Sequence, residues 1–261
     1  MKKKTDALLI LPSLCGFAAF LIVPFAGSFY YAFTESAFSH RFVWFEHFKS
    51  LLKSEYFRLA FKNTMRFTVI AVPLIMVISI AVSMILVQYA MKLPLVRSAL
   101  FLPVLLPSAS VVLFWQAYFS DVQPFQSLLL FFLWKYAGLN IMLILTALLT
   151  VPTETLESAQ LDGAGIVRRT WSFILPMISP TLFFTFILSI VNSLKIFKES
   201  YLLYGPYPDE SVYMLQNYLN NHFAKLNYQN ISTAAIFFAL LVYALVAVIF
   251  AVENRISRRI W

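Results

Sequence analysis

Residues 153–176 read TETLESAQLDGAGIVRRTWSFILP, a patterned polar stretch between two apolar runs. Thr153 is the predicted N-cap of a short helix, because its hydroxyl can accept a hydrogen bond from the first turn. Glu154 and Glu157 follow at once, where the helix dipole favours negative charge. The beginning of the stretch therefore predicts a short amphipathic helix.

The second half of the stretch predicts a sharp turn and another helix. Gly163 and Gly165 allow backbone conformations that other residues avoid. Residues 166–174 can form a second short helix, which Pro176 is expected to end before the next apolar run. The pattern indicates a helix-turn-helix between two hydrophobic segments, although the same composition also fits an ordinary amphipathic loop.

The spacing of these residues resembles the EAA motif of permeases from binding-protein-dependent ABC importers. That motif reads EAA, three residues, G, nine residues, I, one residue, LP. This chain has ESA at residues 157–159, Gly163 at the glycine, and LP at residues 175–176. Ser158 replaces the first alanine and Phe173 stands in place of isoleucine, and both are mild changes on a packed helix surface. The chain is thus similar to these permeases over its most distinctive stretch.

In such permeases the loop is a coupling helix that docks in a groove of a cytoplasmic ATPase. The resemblance therefore implies that this loop transmits motion and does no bond chemistry. The run LDGA at residues 161–164 resembles the carbohydrate branch of the family, which includes permeases for maltose and glycerol phosphate. The residues assigned to ATPase coupling are Glu157, Ser158, Ala159, Asp162, Gly163, Leu175 and Pro176.

The resemblance also implies the other subunits of an importer. The expected partners are a second, similar permease, two cytoplasmic ATPase subunits, an extracellular solute-binding protein and a sugar or oligosaccharide. This chain itself would be no enzyme and hold no cofactor, because ATP and Mg²⁺ are expected in the partner ATPase. The expected location is the cytoplasmic membrane of a bacterium.

Composition independently predicts a polytopic membrane protein. Hydrophobic residues make up 61% of the chain, charged residues only 12%, and the mean hydropathy is +0.78. A soluble domain of this length is far less apolar. The net charge of +8 is dispersed between apolar runs, so its expected partners are lipid headgroups and not nucleic acid. The single cysteine, Cys15, lies inside the first apolar run and permits no disulfide within the chain.

The predicted fold is all-α, a six-span helix bundle forming one permease domain over residues 1–261 with a cytoplasmic coupling loop at 153–176. It corresponds to the type I ABC importer permease fold. The spans are predicted at residues 7–33, 63–89, 99–119, 136–150, 180–203 and 231–252, from apolar runs of membrane-crossing length. Six spans place both termini on one side, and the coupling loop, more than the dispersed basic residues, identifies that side as cytoplasmic.

Local details of the spans carry further expectations. The first span begins after Lys2, Lys3 and Lys4 and is expected to remain uncleaved. Pro103 and Pro107 are expected to break the third span where it borders a cavity or another helix. Residues 125–134 are expected to form an external lead-in helix before the fourth span, whose start is blurred by Lys135. Between the fifth and sixth spans, the outward-facing residues fit either contact with a docked binding protein or a solvated loop, and they are Tyr207, Asp209, Glu210 and Tyr213.

The candidate substrate path lies in the fifth span, which lines the path in sugar permeases. Its polar stretch is NSLKIFKESYLL, residues 192–203. Asn192, Ser193 and Lys195 can hydrogen-bond sugar hydroxyls, and Phe197 can stack on an apolar sugar face. Alternatively, Lys195 pairs with Glu199 one helical turn later, or extends to the outer headgroups.

Two other classes of protein are weighed against the importer. An ion-coupled secondary transporter would use Lys195, Lys198 and Glu199 as a relay, but it should show inverted repeats and matching broken spans, which the sequence does not clearly display. A structural membrane scaffold would not need the EAA spacing. His40, His47 and His222 have no ligand-like partner at helical spacing, so no metal site is predicted. The sequence also lacks a P-loop, so energy is expected from another subunit.

Overall fold

The computed structural model of the protein describes residues 2–36, 41–89 and 94–260. Within those ranges the chain forms helices and no β-strand, with one isolated antiparallel bridge between Thr34 and Phe42. The predicted all-α fold is therefore confirmed. One residue named above, His40, lies outside the described ranges.

The helices follow one another with short connections. In the first half of the chain they are α1 (Lys2–Phe17), α2 (Val23–Phe33), α3 (Glu46–Lys53), α4 (Glu55–Leu86), α5 (Pro94–Leu105), α6 (Ser108–Phe119) and α7 (Pro124–Leu148). In the second half they are α8 (Thr153–Leu161), α9 (Ile166–Arg169), α10 (Leu175–Met177), α11 (Ser179–Leu194), α12 (Phe197–Tyr204), α13 (Leu215–Ala224) and α14 (Tyr228–Ile260). A π-helical turn at Ala18–Ile22 joins α1 to α2, and another at Thr170–Ile174 joins α9 to α10.

Helical segments of the described chain are long and apolar enough to cross a bilayer at five places. They are Ile10–Phe33, Glu55–Leu86, Pro124–Leu148, Ser179–Tyr204 and Tyr228–Ala251. The predicted count of six is reached if the bent pair α5 and α6 is taken as one span. The assignment of residues 1–261 to one permease domain stays a prediction.

The third apolar run, predicted as a span over residues 99–119 broken at Pro103 and Pro107, forms two helices in the structure. Helices α5 and α6 meet at an angle of 94° across the break at Leu106 and Pro107. Leu106 precedes a proline, and the proline ring disfavours the helical conformation for the residue before it. The break expected at Pro107 is therefore present and turns the chain through nearly a right angle, whereas the break expected at Pro103 is wrong, because Pro103 lies inside α5.

The fourth apolar run is continuous where the sequence predicted an interruption. The structure has one continuous helix, α7, where the sequence predicted a lead-in helix at 125–134 and a separate span at 136–150. The apparent interruption at Lys135 is misleading, because this lysine is buried within the protein and paired with a carboxylate. A charged residue inside a span is compatible with a continuous helix when a partner neutralises it.

The chain divides into two compact units. Unit 1 comprises Met1–Arg58 and Tyr218–Ala244. Aromatic contacts hold it together: the Phe33 ring packs on Phe48 at 5.5 Å between centroids, and the Phe57 ring packs on Tyr218 at 5.5 Å and on Phe237 at 5.7 Å. The first span exposes apolar side chains along its length, as expected for a helix surrounded by lipid or by a partner subunit.

Unit 2 comprises Leu59–Asn217 and Leu245–Trp261, and it contains helices α5 to α12. Its core joins α4, α6 and α7, with the fully buried rings of Phe67, Phe131 and Phe132 at the centre. Trp115 of α6 packs edge-on against Phe131 at 5.0 Å and donates a hydrogen bond to Ser127 at 2.9 Å. This aromatic core fixes the position of α7 within the unit.

Gly138 allows α5 to lie unusually close to α7. A Cβ atom at this position would stand 1.7 Å from the carbonyl oxygen of Leu100 and 2.6 Å from its carbonyl carbon. Because the obstacle is backbone, it cannot swing aside as a side chain would. We therefore expect Gly138→Ala to destabilise the protein by about 1–3 kcal/mol, measured as a lower midpoint of thermal unfolding in detergent.

Gly16 provides the matched control for this prediction. It is also in a helix, but nothing lies within 4 Å of the position of its Cβ. Gly16→Ala should leave the midpoint unchanged or raise it slightly, because alanine stabilises a helix by about 0.5–1 kcal/mol over glycine. Equal midpoints for both variants would contradict the close contact at Leu100.

Candidate coupling loop and translocation path

Helix α8 ends in a glycine-dependent cap. Gly163 has a φ of 81°, in the left-handed region that favours glycine. Its amide donates to the carbonyl of Gln160 at 3.0 Å, and the next amide, Ala164, donates to the carbonyl of Ala159 at 2.9 Å. These two bonds define a Schellman motif, which satisfies the free carbonyls at the end of a helix. The predicted turn at Gly163 is therefore present.

Small buried residues accompany this cap. Ala159 and Ala164 are 4% and 8% exposed, and they occupy the two positions that form the apolar contact of a Schellman motif. Glu157, Ser158 and Asp162 are exposed. The residues of the motif thus divide physically into a buried alanine, a turn-forming glycine and an accessible polar edge.

The loop also carries an apolar surface that nothing in the described chain covers. Four side chains form it, here named the loop patch: Leu161, Ile166, Val167 and Trp171, which are 89%, 74%, 73% and 70% exposed. A concentration of large exposed apolar side chains is typical of a surface that contacts another protein. The guanidinium of Arg169 donates to Gln160 at 2.7 Å, bracing α9 against α8 beneath this surface.

Three local predictions for the loop are wrong. Thr153 is the first residue of α8, the cap position is Pro152, and no side chain caps the helix. Gly165 has φ −66° and ψ 169°, an extended conformation open to any residue. Pro176 does not end a helix, because it occupies the first turn of α10, where a proline has no amide bond to lose.

The far end of the loop is anchored in the membrane-spanning part of unit 2. Leu175 and Ile174 pack on a buried cluster made of Ile144, Leu148 and Ile178. Residues 144 and 148 belong to α7, and Ile178 immediately precedes α11. Movement of the loop would therefore act directly on two spans.

A buried ion pair joins three helices in the interior of unit 2. The ammonium of Lys135 in α7 contacts Oε1 of Glu199 in α12, and the two residues are 7% and 2% exposed. Ser108, the first residue of α6, accepts a hydrogen bond from Lys135 at 2.7 Å and donates one to Glu199 at 2.9 Å. Sequence reasoning missed this triad because its members are far apart in the chain. The charge of Lys135 inside an apolar run was the available signal.

The four predicted path residues have different surroundings. Ser193 is buried and its hydroxyl lies 3.0 Å from that of Thr68 in α4, so it links two helices. Asn192 and Phe197 are half-buried, and the Phe197 ring packs on Tyr201 at 5.5 Å. Lys195 is exposed, and the predicted alternative that it pairs with Glu199 is wrong, since that carboxylate is bound to Lys135.

The polar pair Asn63 and Thr64 at the start of the second span holds the segment after α12. The Asn63 amide donates to the carbonyls of Glu210 and Tyr213 at 2.5 and 3.0 Å. The Thr64 hydroxyl accepts from the amide of Leu215 at 2.9 Å. Asp209 accepts from the amide and hydroxyl of Ser211, which lowers the pKa of this exposed carboxyl. The segment therefore has a defined shape and an accessible negative edge.

An open groove of about 550 Å³ lies between the end of α7 and the start of α11. It is lined mainly by apolar side chains, with the hydroxyls of Thr146, Thr150 and Thr181 among them. None of the predicted path residues lines it. The mainly apolar lining of this groove does not suit a sugar, because sugar hydroxyls need many hydrogen-bond partners.

Comparison with known proteins decides between the classes weighed above. The family model described as binding-protein-dependent transport system inner membrane component matches residues 91–261. This chain belongs to that family. The predicted role of a permease subunit of an importer is thereby confirmed, and with its several spanning helices the permease is a multi-pass membrane protein. The alternative of an ion-coupled transporter is set aside.

Individual relatives agree with this assignment over most of the permease. It is 26% identical to the sn-glycerol-3-phosphate transport system permease protein UgpA of Pectobacterium atrosepticum, covering 95% of this chain and 94% of the relative. It is 25% identical to the sulfoquinovosyl glycerol transport system permease protein SmoG of Agrobacterium fabrum, covering 89% and 85%.

Solved structures share the fold of the permease. A chain of a bacterial ABC transporter involved in the import of the acidic polysaccharide alginate superimposes with a TM-score of 0.80 at 24% identity, covering 99% of this chain and 96% of that one. A structure of a bacterial alginate ABC transporter in complex with an alginate pentasaccharide-bound periplasmic protein matches with a TM-score of 0.80 at 23% identity, covering 97% and 96%.

Proposed function

We propose that this permease and a second, similar permease form the membrane path of an ATP-driven importer for a sugar or oligosaccharide. The observation that carries the proposal is the glycine-capped helix α8 with the loop patch beside it. The solutes named for its relatives, sn-glycerol 3-phosphate, sulfoquinovosyl glycerol and alginate, support a sugar or a sugar-like compound as cargo.

The proposed partners follow from this role. Two ATPase subunits, which hold ATP and Mg²⁺, receive the loop patch on the cytoplasmic side of the membrane. Both termini of the permease lie on that side. A solute-binding protein delivers the sugar on the opposite side, a proposal supported by the periplasmic protein present in one structure of similar fold.

In the proposed mechanism, the loop acts as a lever. Closure of the ATPases displaces α8, and the cap at Gly163 keeps α8 and α9 in one arrangement during the movement. The anchor at Leu175 passes the displacement to α7 and α11 through their shared cluster. The bundle then exchanges an inward-open for an outward-open state, driven by interactions that differ between the two states.

Copurification tests this function directly. The permease is tagged in its own host, extracted in mild detergent, and its companions are identified by mass spectrometry. An ABC-type ATPase and a second multi-span permease are the expected companions. Recovery of the chain alone, under conditions that keep other importers assembled, would refute the proposal.

The same experiment tests the role of the loop patch. Ile166→Asp places a charge where an apolar side chain is 74% exposed and makes no core contact. Loss of one buried aliphatic side chain from an interface costs about 1.5–3 kcal/mol, so we expect the copurified ATPase to fall about tenfold or more. The second permease should remain bound.

Ser120→Asp is the control for this substitution. Ser120 is exposed in the turn between α6 and α7, away from the loop. This variant should retain a normal amount of ATPase. If Ile166→Asp retains it as well, the loop patch is not the docking surface.

A further inference from the structure

The fifth span carries a positive charge that the structure leaves unbalanced. Its charged residues are Lys195, Lys198 and Glu199. Glu199 is buried and neutralised by Lys135 from α7. Lys195 and Lys198 are exposed, and neither contacts a carboxylate among residues 2–36, 41–89 and 94–260. Within the part of the chain that the structure describes, the span therefore has two lysines with no carboxylate partner.

The two lysines lie close together along the span. Ser193, Ile196, Glu199 and Ser200 are buried against the rest of unit 2. Helix α11 ends at Leu194, so Lys195 lies in the turn before α12 and Lys198 lies in the first turn of α12. The two exposed lysines are thus three residues apart along the chain, while the residues between and beside them that are buried, Ile196 and Glu199, pack into the unit.

Free cations in a membrane span call for an anionic partner. A charged side chain near the middle of a bilayer costs about 2.5–3.5 kcal/mol and usually faces a water-filled cavity. The amide of half-buried Asn192 adds neutral hydrogen-bonding groups three residues before Lys195. An ammonium pair beside an amide suits the oxygens of a carboxylate, phosphate or sulfonate better than neutral hydroxyls alone.

We propose that Lys195 and Lys198 bind the anionic group of the transported solute, so that the cargo class is acidic sugars. This inference rests on the proposed function. The phosphate of a lipid headgroup has the same chemistry as an anionic solute. The two sources can be separated because the probes differ in charge while the lipid stays the same. If the lysines bind cargo, their replacement lowers the uptake of anionic probes more than that of neutral ones.

The test uses the complete importer in vesicles of phosphatidylcholine, with its binding protein outside and ATP available to the ATPases. The probes are sn-glycerol 3-phosphate and a galacturonate trisaccharide, which are anionic, and glycerol and maltotriose, which are neutral. The variants are the double substitutions Lys195→Gln/Lys198→Gln and Lys195→Arg/Lys198→Arg. Lys53→Gln, an exposed lysine of α3 outside the spans, is the control.

We expect ATP-dependent uptake of an anionic probe. A hydrogen bond to a charged group contributes about 1.5–3 kcal/mol, so the double glutamine variant should lose about tenfold or more of that uptake. The double arginine variant should keep most of it, Lys53→Gln should keep all of it, and every variant should copurify with its partners in normal amount.

Other results would overturn the inference in recognisable ways. Uptake of neutral probes only would refute the acidic cargo and leave the proposed function standing. Unchanged anionic uptake in the double glutamine variant would refute the role of the lysines. An equal loss for charged and neutral probes, or loss of the assembled complex, would assign the lysines to lipid phosphates or to structure. Uptake of no probe together with absence of an ATPase companion would refute the proposed function itself.

Discussion

Replacing Gly163 by valine is expected to abolish uptake while leaving the permease in the membrane. The φ of 81° at this position is strained by about 1–2 kcal/mol for a residue with a Cβ, and more for a β-branched one. No neighbouring atom lies within 4 Å of the Cβ position, so the effect is purely on the backbone. The cap opens, and α8 and α9 lose the fixed arrangement that a lever requires.

Gly165→Val is the matched control, since it adds the same side chain two residues later. Gly165 already has an extended conformation that valine adopts without strain, and nothing lies within 4 Å of its Cβ position. Uptake of labelled solute by whole cells, normalised to permease in the membrane, measures both variants. Equal loss in both would show that added bulk on the loop, and not the left-handed backbone, is responsible.

Replacing Lys135 by methionine is expected to produce the largest loss of stability. The substitution keeps an apolar stem of similar length but leaves the Glu199 carboxylate buried without a cation. Removing one partner of a buried ion pair costs about 3–5 kcal/mol. We expect a clear fall in the midpoint of thermal unfolding, followed by near-ultraviolet circular dichroism in detergent.

The double variant Lys135→Met/Glu199→Leu separates charge from packing. Replacing both members of a buried pair by apolar residues is often neutral or stabilising, so most of the lost stability should return. A double variant as unstable as Lys135→Met alone would mean that the helices depend on the shape of the side chains and not on their charges. Ser108, which bridges the pair, would then be the next position to vary.

Several features could be predicted because their causes are local. The glycine turn at Gly163 depends on one residue and its immediate neighbours, and the break before Pro107 depends on a steric clash between adjacent residues. Errors arose where the local pattern allowed two outcomes. Gly165 is a glycine without a left-handed backbone, and Pro176 is a proline at a position where helices accept it.

The buried ion pair of unit 2 could not be predicted for a different reason. Lys195 and Lys135 are both lysines within apolar runs, and the sequence analysis named only Lys195 as a partner for Glu199. The i, i+4 spacing favoured Lys195, yet the structure brings Lys135 to Glu199 from 64 positions away. The spacing of residues along one helix does not predict which residues of another helix will contact them.

The sequence by itself determined that this is a polytopic helical membrane protein with a patterned polar loop between two apolar runs, because hydropathy, chain length and turn chemistry act over a few neighbouring residues. Only the tertiary structure decided which charged side chains in the apolar runs form an ion pair. It brings Gly138 against the backbone of Leu100, turns α6 by 94° from α5, and pairs Lys135 with Glu199. These contacts depend on how separate helices pack, and among residues 2–36, 41–89 and 94–260 that packing gives Lys195 and Lys198 no carboxylate partner.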